Sequence, residues 1–335
     1  MIYGNFIIHP FKNNECFDPN ARDNCCAAFI GLRDTLKKND IEINTKDLNI
    51  NNKISFEIHI DKQISHISNI PKFLFLWESS NVKPSNKSVD KKKYNQVYSW
   101  DDSLVSSEKY TKFYLPVTDN LISDLPKFQE RQGFCCAMSS NKTPQKQYKK
   151  DLYSERLKLY KWFEQNAPQN FSLFGPGWDR LTFEGIFQNK IFIKMIEKLN
   201  IKSKNFKKIY KGYADSKSSV LQKFKFSICY ENVYGLNGYI TEKIFDSMFA
   251  GCVPIYWGAE NITSYVPEEC FIDRRNFNNT ESLYNFLKTV DENAFIDYQT
   301  SISNYLKSDK FKKFSNEYFV ENIASDILKV VNGNR

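Results

Sequence analysis

Phe226-Ser-Ile-Cys-Tyr-Glu-Asn232, followed by Gly238-Tyr-Ile-Thr-Glu-Lys-Ile-Phe-Asp-Ser-Met-Phe-Ala-Gly-Cys-Val-Pro-Ile-Tyr-Trp-Gly258, decides the fold. Phe226 to Tyr230 is a buried-strand pattern that ends in polar Glu231 and Asn232. Gly235 and Gly238 mark a tight loop. Thr241 stands where it can cap a helix whose first turn carries Glu242 and Lys243. Ile244, Phe245, Met248 and Phe249 fall on one helical face, Gly251 stops the helix, and Val253 to Trp257 is the next strand. The unit is therefore α/β. A glycine loop opening a helix between two apolar strands can hold a diphosphate, because free backbone N–H groups and the helix dipole converge there.

Working outward, the flanking segments extend the same alternation. Gly133 to Met138 and Phe171 to Phe174 are expected strands, and the second runs into Gly175-Pro-Gly177 with Trp178 and Asp179 behind it. That turn is either a guanosine-facing loop or an ordinary turn. Asp151 to Asn166 is an expected helix with Leu152, Leu157, Tyr160 and Phe163 inward. Lys217 to Lys223 is a short helix, and Ser282 to Val290 and Glu292 to Leu306 are helical. Upstream, Asn5 to His9, Ile54 to Ile60, Lys72 to Trp77, Tyr94 to Trp100 and Lys112 to Val117 are expected strands, and Cys26 to Lys38 is an amphipathic helix. Lys72 to Trp77 is almost continuously apolar, as a central parallel strand should be. Lys83 to Lys93 carries no core signal. Charged residues around Pro126 place a linker within Asp124 to Gln132.

The 335 residues suit two domains. Hydrophobic content of 41%, with 16% aromatic, is enough for two cores. The net charge of +8 is lysine-dominated and suits an anionic partner such as a sugar nucleotide or an acidic membrane surface. It does not demand nucleic acid, and no helix-turn-helix, RNA-binding signature or zinc-finger spacing is present. A nucleic-acid-binding role would predict steep salt dependence. Cys16, Cys25, Cys26, Cys135, Cys136, Cys229, Cys252 and Cys270 include no Cys-x-x-Cys pair, and His9, His59 and His66 are the only histidines. A metal cluster is not expected, and buried reduced thiols favour the cytoplasm. No apolar run approaches the ~20 residues that span a membrane.

The run from Tyr230 to Gly258 closely resembles the donor-binding signature of the α-1,3/4-fucosyltransferases, glycosyltransferase family 10: Glu-Asn at a strand end, Gly-Tyr-Ile-Thr-Glu-Lys, then Val-Pro-Ile-Tyr-Trp-Gly. The resemblance implies the GT-B fold, two Rossmann-like domains facing a cleft, with a C-terminal helix crossing back to the first. It divides the chain into an acceptor-binding domain (1–128), a GDP-fucose-binding domain (129–312) and the returning helix (313–335). The lack of an N-terminal anchor predicts the soluble bacterial kind, cytoplasmic and at most peripheral at the inner face of the membrane. The implied reaction is inverting transfer of L-fucose from GDP-β-L-fucose to O3 of GlcNAc in a Galβ-GlcNAc-type glycan, in lipopolysaccharide or other cell-surface glycan synthesis. Another GDP-sugar or acceptor linkage, or a catalytically silent nucleotide- or glycan-binding homologue, remain as alternatives.

Such chemistry needs a base for the acceptor hydroxyl, cations or N–H groups for the departing diphosphate, and groups that hold the sugar in line. Glu78, just past an apolar strand, is the candidate base, because functional groups gather beyond the carboxyl ends of strands. Asp101 and Asp102 compete with it. The resemblance places Lys243 and Arg156 on the diphosphate, Glu242 on fucose or ribose hydroxyls, and Glu231, Asn232, Tyr239 and Thr241 around the nucleotide and sugar. Trp77, Trp100 and Asp101 are candidate acceptor contacts. The chain has no Asp-x-Asp pair. No essential metal or other cofactor is expected, and Mn2+ or Mg2+ at most stimulates.

Overall fold

The computed structural model describes residues 1–61, 69–106, 110–119, 121–122, 124–141, 150–179, 206–214 and 216–333. The chain opens with β1 (Ile2–Ile7), then α1 (Ala27–Lys37), β2 (Ile41–Thr45), β3 (Ile54–Ile60), β4 (Lys72–Leu76), β5 (Gln96–Ser99), the short α2 (Asp102–Val105) and β6 (Thr111–Lys112). These strands form one sheet in the order β2-β1-β3-β4-β5-β6, with every pair parallel. All five residues of β4 are buried, as the unbroken apolar run predicts for a strand covered on both faces. β2 was not expected: Ile41-Glu-Ile-Asn-Thr45 alternates over only a few residues between polar runs. Its pairing with β1 makes it a strand.

The second half contains β7 (Gly133–Met138), α3 (Tyr153–Asn166), β8 (Phe171–Phe174), α4 (Lys217–Leu221), β9 (Phe224–Tyr230), α5 (Glu242–Phe249), β10 (Val253–Trp257) and β11 (Ile272–Asp273). Its sheet runs β11-β10-β9-β7-β8, again parallel throughout. Both sheets therefore place the first strand of each half between the second and third. Winding reverses beside β1 and β7, and a doubly wound sheet binds its ligand beyond the carboxyl ends at such a switch point. α6 (Thr280–Thr289), α7 (Glu292–Leu306), α8 (Asp309–Lys312) and α9 (Asn316–Gly333) complete the chain.

This is the expected GT-B arrangement of two Rossmann-like domains, and α9 does return to the first of them. Phe319, Ile323, Ala324, Ile327 and Val331 of α9 are buried in the first core beside Phe29 and Leu32 of α1. Phe319 meets Phe75 at 5.8 Å and Trp77 at 6.1 Å, and the Tyr98 hydroxyl donates to Asp326 at 3.1 Å. The helix thereby ties the end of the chain to the strand that precedes Glu78.

Several boundaries differ from expectation. The first strand begins at Ile2 rather than Asn5. The strand expected over Lys112 to Val117 pairs with β5 only at Thr111 and Lys112, because the Val117 N–H turns away to Phe314 O at 2.8 Å. Leu115 packs in the first core and Val117 in the core around α5, so the chain changes domains there, ahead of the expected linker at 124–132. Arg131, within that linker, is buried against the second domain and donates to the carbonyls of Pro126, Gln222, Phe224 and Ala250. On α3 the inner positions are Arg156, Leu159, Tyr160 and Phe163, whereas Leu157 is only half-buried.

Candidate active site

A cleft of about 500 Å³ opens between the carboxyl ends of the two sheets. Phe29, Trp77 and Glu78 line it from the first domain, and Tyr153, Arg156, Asn232, Tyr239, Thr241, Glu242 and Lys243 from the second. That volume lies within the range that holds a small-molecule ligand.

The second-domain wall is built on Glu231, the residue after β9. Its side chain is fully buried, and its carboxylate accepts the Thr241 N–H at 2.9 Å, the Thr241 hydroxyl at 2.8 Å and Lys243 Nζ at 3.2 Å. The Thr241 hydroxyl is thus a donor to Glu231 and does not cap α5 as expected, although Thr241 occupies the N-cap position. Gly258 makes room for this: a Cβ there would collide with Glu231 Cγ and the Tyr256 hydroxyl. Lys243 is 27% exposed, and Glu231 and Glu242 hold its ammonium above the ordinary lysine range against the opposing pull of burial. Glu231 itself is not on the cleft wall, contrary to the expected lining role.

Arg156 arrives by a contact invisible in the sequence. Residues 150–152 run antiparallel to 232–234, with Leu152 N–H donating to Asn232 O at 3.2 Å and Tyr234 N–H to Lys150 O at 3.0 Å. The first turn of α3 is thereby pressed against the Glu-Asn loop. Arg156 Nη2 donates to Tyr230 O and Glu231 O, both at 2.7 Å, and to Asn232 Oδ1 at 3.2 Å. The guanidinium is thus anchored through Nη2 to the strand end and the loop after it.

Beyond Lys243 the wall continues with charges that the sequence reading passed over. Lys217 Nζ pairs with Asp246 at 2.7 Å, and both line the cleft. Burial pushes the Asp246 carboxyl up to about 6, with Lys217 partly offsetting it. Burial would raise Glu242 as well, but Lys243 and Lys217 outweigh it and hold that carboxyl down to about 2. Lys217 has no motif around it; the packing of α4 against α5 brings it here.

On the first-domain side, Glu78 follows β4 beside Trp77, whose ring packs on Phe29 at 5.2 Å. Trp100 and Asp101 are not on the cleft wall. The Trp100 indole N–H donates to Trp77 O at 2.9 Å, and its ring meets Tyr239 at 4.7 Å, so it fills the junction of the domains. The Asp101 carboxylate accepts the Ser103 N–H at 3.0 Å and caps α2. Asp102 is bound to Lys112 Nζ at 2.6 Å and, across the junction, to Asn261 at 2.8 Å and the Tyr265 hydroxyl at 2.6 Å.

Residues 179–320 match the family model described as glycosyltransferase family 10 (fucosyltransferase), C-terminal. Through this region the chain is similar to glycosyltransferase family 10. It is 34% identical over 89 residues to the alpha-(1,3)-fucosyltransferase FucT of Helicobacter pylori, covering 26% of this chain and 18% of that protein. It is 39% identical over 71 residues to 4-galactosyl-N-acetylglucosaminide 3-alpha-L-fucosyltransferase 9 of Mus musculus, covering 21% and 20% respectively. These alignments span about a fifth of each relative's length. In overall fold the chain is similar to an alpha1,3-fucosyltransferase solved with GDP-fucose, with TM-score 0.58, 15% identity, and 98% of this chain and 90% of that one covered. It is comparably similar to Anabaena Alr3699/HepE solved with UDP-glucose, with TM-score 0.57, 12% identity and coverage of 98% and 99%.

In this chain the signature's residues converge on one cleft, but they divide between wall and support. Asn232, Tyr239, Thr241, Glu242 and Lys243 line it, with Arg156 and Glu78 from outside the signature, while Glu231 braces from behind. Behind Gly175-Pro-Gly177, Trp178 is buried, and its indole N–H donates to Ser139 O at 2.6 Å. His59 is a buried strand residue paired with Glu57 at 3.0 Å, and His66 lies outside the described residues. All eight cysteines are free thiols, and Cys25 alone is exposed. Among the described residues no helix is long and apolar enough to cross a membrane.

Proposed function

We propose that this chain is an inverting fucosyltransferase that uses GDP-β-L-fucose. One observation carries the reading: a carboxylate after β4 of one sheet shares a cleft with Arg156, Glu242 and Lys243 past the strands of the other. The diphosphate would lie against Lys243, Arg156 and the N-terminus of α5. Glu242, ionised across the neutral range, would accept hydrogen bonds from ribose or fucose hydroxyls. The acceptor hydroxyl would attack the anomeric carbon from the face opposite GDP. As the new C–O bond forms and the C–O bond to phosphate breaks, its proton passes to Glu78 and the negative charge leaves with GDP.

The acceptor is proposed to be the GlcNAc of a Galβ-GlcNAc-type glycan, substituted at O3, in lipopolysaccharide or cell-surface glycan synthesis. The protein would work in the cytoplasm, at most peripherally at the membrane. The names of similar proteins support only the choice of O3 on a GlcNAc-type acceptor. The test is GDP release from GDP-fucose with Galβ1-4GlcNAc in EDTA, for wild type and Glu78→Gln. Acceptor-dependent release that falls by ~10²–10⁴-fold in the variant is expected for loss of a general base. Release that survives the substitution overturns the assignment of Glu78. A chain that binds GDP but releases none from any GDP-sugar would instead be a silent homologue.

A further inference from the structure

We infer that Asp61 and Asn86 are positioning residues for Glu78, an inference that rests on reading Glu78 as the base. Neither lines the cleft. Asp61 follows β3, is 8% exposed, and sits at a left-handed φ of 60° with its N–H donating to Phe75 O at 2.8 Å. A single carboxylate oxygen, Oδ1, accepts the Trp77 N–H at 2.8 Å, the Glu78 N–H at 2.9 Å and Asn86 Nδ2 at 2.7 Å. Asn86 Nδ2 also donates to Glu78 O at 2.9 Å. Glu78 is therefore held at both its backbone N–H and its carbonyl.

The cost of this arrangement points to its use. Burial pushes the Asp61 carboxyl up, although the two amides, Asn86 and Lys83 pull the other way. Burying a carboxylate is unfavourable unless it is fully hydrogen-bonded, and an apolar turn would avoid the desolvation altogether. What the carboxylate adds is direction: three charge-assisted bonds converge on one atom and set where the chain leaves β4. Asn86 is drawn out of the lysine-rich 83–93 run to complete the cradle, and it is buried there. A base must sit within hydrogen-bond reach of the proton it takes, so the cradle controls the reacting geometry without touching substrate.

Asp61→Ala, Asp61→Asn and Asn86→Ala are compared by steady-state GDP release and by amide hydrogen exchange of the peptide containing Trp77 and Glu78. Asp61→Ala is expected to lower kcat by ~10²-fold, the cost of a misplacement near 1 Å, with KM for GDP-fucose within ~3-fold of wild type. The Trp77 and Glu78 amides should lose protection while those of β7 to β10 keep theirs. Asp61→Asn retains one carbonyl oxygen for the three donors and should restore most of kcat and the protection. Asn86→Ala should fall between. The inference is overturned if Asp61→Ala leaves kcat or the local protection intact. Loss of protection throughout the protein also overturns it, because that marks general destabilisation. If the wild type transfers no fucose, the reading of Glu78 fails, and exchange at Trp77 and Glu78 still decides whether Asp61 holds the turn.

Discussion

Replacing Glu231 separates two roles that the sequence cannot distinguish, pocket wall and buried brace. In Glu231→Ala the Thr241 N–H and hydroxyl lose their acceptor, and Lys243 loses its fully buried counter-charge. Breaking a buried pair costs about 3–5 kcal/mol. Lys243 is 27% exposed, so water recovers part of this. A loss of about 3 kcal/mol remains, and at ~2–4 °C per kcal/mol for a domain of this class the melting temperature should fall by about 6–12 °C. An unbraced Lys243 also presents its charge less well, which should weaken GDP binding about 5–30-fold, or ~1–2 kcal/mol. Differential scanning calorimetry with and without GDP, and titration calorimetry for GDP, read both. In the wild type the raised Lys243 pKa means that its stabilising contribution is complete below the unfolded value of 10.5 and fades as pH rises through the folded value. Glu231→Gln removes the Glu231 part of that upward push and leaves that of Glu242, so its GDP affinity should decline at lower alkaline pH than the wild type's. A variant that melts within about 1 °C of wild type yet cannot bind GDP would refute the brace. Glu231 would then touch the donor itself.

Two further substitutions probe the junction that holds the cleft in shape. Gly238 has φ of +81°, and a Cβ there would meet Trp100 O, Lys112 Nζ and Asp102 Oδ2 across the junction, so Gly238→Ala should cost the ~1–2 kcal/mol of a left-handed alanine plus the clash. A melting temperature unchanged from wild type would show that the loop moves aside. Asp102, although burial pushes its carboxyl up, is held below its usual 3.8 by Lys112, Tyr265 and Asn261, so its stabilisation is present above 3.8 and lost as pH falls through the folded value. Asp102→Asn should cost about 2 kcal/mol at neutral pH and flatten that acid limb in urea titrations against pH; an unchanged limb would assign it to other carboxylates.

The elements of the second half were legible because their local signals agree. β7, β8 and β10 match their expected bounds, since short apolar runs ended by glycine or polar residues leave little choice. β2 and the true extent of β6 were not legible, because both are short edges whose status depends on a neighbouring strand. The site was half-legible. Lys243 and Glu242 stood in a continuous motif, whereas Lys217, Asp61 and Asn86 had no local signal. They matter only because α4 meets α5 and the 83–93 run folds under β4.

The sequence by itself determined the α/β alternation, the glycine-opened helix after β9 and the set of charged residues beside it, because strand and helix periodicity and turn chemistry act over a few neighbouring residues. Tertiary structure alone decided the strand order, the return of α9 to the first core, and which carboxylate faces the cleft. Glu231 and Glu242 stand in one motif, yet one is fully buried behind Lys243 and the other lines the cleft, about half exposed. Burial and charge pairing depend on what packs from distant parts of the chain, and for these two carboxylates that packing separates support from site.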